Sequence, residues 1–192
     1  MGILSRLFGR SEPSPSSQQP APPRTTEDRG RERHEDIQTM LREQAASSPR
    51  QAREIAAGSV DGVHYLELVE PIKQAKREGR NEDALKLCYQ AVEGAENDRP
   101  VPGEHFSDPT AYERLKAAGI VTQEDEESQQ RDWVPAPAYT QHAAIVLRKL
   151  GRREEELAVL ERYLQHVRPD RRDAHEFAER AAKVRELIDA GK

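Results

Sequence analysis

His175 and Glu176 open the stretch HEFAE, which begins like the HExxH helix of a zinc hydrolase. That chemistry needs a second histidine four residues on, so that two imidazoles share one helical face, and Glu179 stands there instead. A helical metal-dependent enzyme built on His142, His166 or His175 is the alternative these residues leave open. The acidic run Glu124, Asp125, Glu126 and Glu127 lacks the alternating oxygen ligands and central glycine of a calcium loop. Such residues also favour a first helical turn, where the macrodipole stabilises them. Cys88 has no companion histidine or asparagine motif and reads as a small buried hydrophobe. No phosphate loop, nucleophile elbow or dinucleotide-binding turn is present. The residues therefore assign no catalytic group, no metal and no cofactor, and the reading is of a non-enzymatic protein.

Binding chemistry is better represented. Lys73, Lys76 and Arg77 precede Gly79, and Arg148 and Lys149 precede Gly151. Each set sits where a helix ends, a place the helix dipole favours for cations. Gln141 and His142 fall near the start of the second of these helices. At the N-terminus, Ile3, Leu4, Leu7 and Phe8 share one helical face, with Arg6 and Arg10 elsewhere. That segment is a handle for a weak membrane-surface contact or for a partner's groove.

The composition sets the frame for these groups. In 192 residues, hydrophobic side chains make up 35%, charged ones 34% and aromatics only 5%, which favours helices over sheets. A net charge of −5 argues against a dedicated nucleic-acid binder. One cysteine excludes an internal disulfide and points to a reducing, cytoplasmic setting. The sequence has no apolar run of membrane-spanning length, and MGILSRLFGR makes a poor secretory signal.

Along the chain, 1–10 reads as an amphipathic leader, 11–33 as a disordered linker rich in Pro, Ser and charge, and 34–62 as a weakly patterned helical segment. Ile37, Met40 and Leu41 give that segment one stripe before Ser47, Ser48 and Pro49 interrupt it. From 63 to 192 the pattern strengthens. It predicts helices over 63–78 and 81–97 around Gly79, and over 138–150 and 153–167 around Gly151. Pro71 predicts a kink or a later start in the first of them. Between the pairs, Pro109 and Gly119 bound a short helix, and Thr122 with Asp125 forms a cap for the next. A last helix over 170–190 carries Ala174, Phe177, Ala181, Val184 and Ile188 as one narrow stripe, as a capping helix requires.

Aligning Gly79 with Gly151 also aligns Arg80 with Arg152, Glu82 with Glu154, Leu85 with Leu157, Cys88 with Leu160 and Val92 with Leu164. Each unit is a helix, a tight turn and a second helix. This resembles the tetratricopeptide repeat, and Ala84 and Ala91 match the small residues that family places on its second helix. Glu156 and Tyr163 replace them in the second unit. Ile72 and Ala144 stand where the family often has glycine. Val69 and Gln141 stand where carboxylate-clamping members carry lysine. The short leader ahead of such helices also has the general look of bacterial proteins, some with a HIRAN domain, though no segment here matches that domain.

The resemblance implies an all-α fold of antiparallel helix-turn-helix pairs, repeat-like, with a C-terminal capping helix. It also implies a concave face, lined by the first helices, that binds a protein or peptide, and on which the basic residues before Gly79 and Gly151 form one strip suited to an acidic partner. The expected function is an adaptor or scaffold. A peripheral membrane adaptor using the leader is the alternative on the same fold.

Overall fold

A computed structural model describes residues 25–99 and 109–191. The leader residues Ile3, Leu4, Leu7 and Phe8 lie outside the described residues. The described chain is all-α apart from one two-stranded hairpin. Its ten helices are α1 (Thr26–Ser47), α2 (Pro49–Ala57), α3 (Val69–Arg77), α4 (Asn81–Asn97), α5 (Pro109–Ala117), α6 (Gln123–Asp132), α7 (Pro137–Leu150), α8 (Arg153–Leu164), α9 (Pro169–Arg172) and α10 (Glu176–Asp189).

The centre of the fold is a series in which each helix packs on the next: α3 on α4, α4 on α7, α7 on α8 and α8 on α10. The two pairs, α3–α4 and α7–α8, turn the same corner. Gly79 has φ +74° and Gly151 φ +73°, the left-handed conformation that costs a side-chain-bearing residue about 1–2 kcal/mol. At the first corner the Arg80 N–H donates to the Ala75 carbonyl at 2.9 Å; at the second, Arg152 donates to Leu147 at 3.0 Å. These are the long bonds of a Schellman closure in both cases. The faces brought together by these turns are the predicted ones. Ile72, Ala84, Cys88, Ala91, Ala143, Ala144, Val146, Leu147 and Leu160 are fully buried, Leu85 is buried, and Leu157 packs half-buried against the same core.

Several boundaries differ from the sequence expectation. The helix expected over 63–78 begins at Val69, because 59–64 forms a hairpin, β1 (Ser59–Val60) with β2 (Val63–His64). Asp61 and Gly62 close it with φ of +54° and +78°, as a type I′ turn requires. A 3-10 turn over Tyr65–Leu68 follows, and Pro71, in the first turn of α3, explains the late start. Gln90 Nε2 ties the hairpin to α4 by donating to the Val60 carbonyl at 2.8 Å. Gly94 permits that approach: a Cβ there would lie 2.7 Å from the Gly58 carbonyl oxygen.

At the N-terminal side, α1 starts at Thr26, so residues 26–33, expected as linker, are helical. Thr25 and Asp28 form a capping box that fixes this start. The break at Ser47–Pro49 falls as expected, with Ser48 capping α2 and Pro49 in its first position. Leu41 is buried and Ile37 half-buried, whereas Met40 is exposed. The helix expected over 153–167 ends at Leu164. The helix expected over 170–190 is interrupted before Glu176, where His175 caps α10, and Ala174 is exposed rather than part of the stripe. Phe177, Ala181 and Val184 are buried, and Ile188 packs against the core. No helix among the described residues is long and apolar enough to cross a membrane.

Candidate functional site

The first helices of the two pairs, α3 and α7, carry the predicted basic strip. Their point of meeting is Lys76 and His142, whose Nζ and Nδ1 lie 2.9 Å apart. The ammonium donates and the imidazole accepts, so the neutral ring carries its proton on Nε2. Burial holds His142 below the usual imidazole range, and the charges of Lys76 and Lys73 push it the same way. Burial also lowers Lys76, with Lys149 adding repulsion and the Cys88 side chain opposing it.

The rest of the strip is divided. Lys73 Nζ reaches Glu70 Oε1 at 2.9 Å, and that carboxylate also faces Arg33 of α1 at 3.7 Å. Gln141, Lys149 and Arg77 are exposed. Arg148 is exposed as well but is engaged. Its guanidinium turns to α8 and donates to Glu156 Oε1 at 2.9 Å. The same oxygen accepts from Arg180 of α10 at 2.8 and 3.0 Å. Glu156, only 1% exposed, is therefore held by two guanidiniums, and Arg148 is 60% exposed while it makes this contact. The structure thus joins Lys73, Lys76, His142 and Lys149 through contact or charge. Among the described residues, no carboxylate pairs with Lys76, His142 or Lys149.

The other histidines are occupied separately. His166 Nε2 lies 3.3 Å from Glu96, which also takes Arg162, and its ring meets the edge of Trp133. His175 Nδ1 accepts from the Phe177 N–H at 3.2 Å, capping α10 against Tyr163 and Phe177. Among the described residues, no three His, Cys, Asp or Glu side chains gather as a metal ion would require. Cys88 is fully buried, and its thiol is pushed up to about 12 by desolvation.

Sequence reading missed the Glu156 centre and the link from Glu67 to His34 and Gln38. In the latter, His34 Nδ1 lies 3.1 Å from the Glu67 carbonyl, and Gln38 donates to the Glu67 carboxylate at 2.8 Å. A glutamate in a core position of the α8 pattern was the available signal for the first; polar contacts between distant segments left none for the second. What the α3–α7 face can do chemically is attract an anion: cations and an imidazole stand together and, among the described residues, no carboxylate neutralises Lys76. No protein-family model, curated protein or solved structure matches the chain.

Proposed function

We propose that this chain is a non-enzymatic interaction module, tetratricopeptide-like in its helix pairs, that binds an acidic peptide or protein segment on its α3–α7 face in the cytoplasm. The observation that carries the reading is Lys76 against His142, a cation with no carboxylate partner among the described residues, flanked by Lys73 and Lys149. On a chain of net charge −5 such a cluster is a local exception, and complementary charge gives a partner orientation and speed of encounter. The packing of α3 on α4 and of α4 on α7 holds the two helices side by side, which lowers the cost of ordering the face on binding.

The test is fluorescence polarisation of a labelled octaglutamate peptide with the full chain. A Lys76→Glu/Lys149→Glu variant should bind about tenfold or more weakly, equivalent to about 1.4 kcal/mol. A Lys86→Glu/Lys183→Glu variant, with the same charge change on α4 and α10, should keep most of the affinity. Equal losses in the two variants would reduce the effect to bulk charge and reject the site.

A further inference from the structure

Lys76 and His142 differ from two independent cations, because an N···N separation of 2.9 Å accommodates one hydrogen. Protonating His142 Nδ1 as well would oppose two N–H groups and two like charges across that short gap. The pair by itself therefore carries a single positive charge. The groups around it reinforce this. From α3, Lys73 and Lys76 disfavour a charged imidazole. From α4, Cys88 faces Lys76 as a neutral thiol. On α7, Lys149 acts on Lys76, and Arg148 is held by Glu156 of α8.

The geometry points to a proton-coupled anion site: a carboxylate entering the α3–α7 face takes the Lys76 hydrogen bond, frees His142 Nδ1 and is bound together with one proton that His142 takes from solvent. The carboxylate then lies between two full cations where one stood before. This rests on the recognition reading above and specifies its partner as an Asp- or Glu-rich segment held more tightly as the pH falls.

Octaglutamate binding to the full chain, followed from about pH 8 to about pH 5.5 at constant ionic strength, tests it. Calorimetry at about pH 6.5 in MES and in Bis-Tris, buffers with different ionisation heats, counts the protons taken up. The expected result is a Kd that falls by up to about tenfold per pH unit below about pH 7, with uptake approaching one proton. His142→Gln, which keeps an acceptor for Lys76, should bind with an affinity that is flat over this window and take up no proton. Lys76→Met, which keeps the imidazole but removes the clash, should move the onset of pH dependence upward. A flat profile in the unmodified chain, or the same slope in His142→Gln, overturns the proton coupling while leaving acidic-peptide recognition in place. Failure of octaglutamate to bind at any pH overturns both.

Discussion

Glu156 occupies the place in the second helix pair that Ala84 fills in the first, and it is buried there as a charge rather than as a small apolar group. Taking a carboxylate out of water is tolerable only because Arg180 and Arg148 converge on one of its oxygens. The two arginines are not equivalent: Arg148 is 60% exposed and Arg180 only 17%. Arg180→Met should lower stability by about 3 kcal/mol in urea unfolding, since it leaves the buried charge with one solvated partner. Glu156→Leu/Arg180→Met should recover most of that loss, because Arg148 can rejoin solvent and the apolar pair needs no compensation. A double variant no better than the single one would mean that packing, not charge, governs the position. The same residue accounts for the direction in which Arg148 turns. Its spacing placed it beside Lys149, but a partner on α8 decides where its side chain points.

Between α2 and α3, local geometry rests on one imidazole. His64, 5% exposed, accepts from the Leu66 N–H at 3.3 Å while Glu67 accepts from the His64 N–H at 3.4 Å, and this box starts the 3-10 turn. Burial holds His64 below the ordinary imidazole range, against the raising effect of Asp98 and Glu67. His142 is lowered too. An imidazole that resists protonation when folded binds fewer protons than the unfolded chain, so stability is undiminished above the ordinary value and lost as the pH falls below it. Unfolding free energies from urea titrations should therefore decline from about pH 6.5 downward, by no more than about 1.4 kcal/mol per pH unit for each imidazole. His64→Asn should lessen the decline, and an unchanged slope would remove His64 as a source. The elements were unevenly legible. The bounds of α4 and the Gly79 and Gly151 corners followed from apolar spacing and glycine placement. The hairpin did not, although Asp61–Gly62 between Val60 and Val63 is a hairpin signal; only two residues pair on each side, too few to show a period. The meeting of Lys76 with His142 joins residues 66 apart, and nothing local in either helix announces it.

Over the described residues as a whole, one continuous apolar core runs along the series α3, α4, α7, α8 and α10. Phe177, Ala181 and Val184 are buried where α10 packs on α8, with the Phe177 ring set edge-on to Tyr163. A chain ending after Val167 should expose this surface together with a Glu156 left to Arg148 alone. It should self-associate in light scattering and lose a cooperative unfolding transition. A monomeric, cooperatively unfolding truncation would show that α3–α8 is sufficient by itself. The joint between α8 and α10 is also keyed by ion pairs, Arg180 to Glu156 and Arg185 to Glu161, whereas the joint between α4 and α7 is apolar. An engineer wishing to lengthen this array should accordingly splice extra helical hairpins upstream of α7, since any module grafted beyond α8 would have to bring its own guanidinium to the lock.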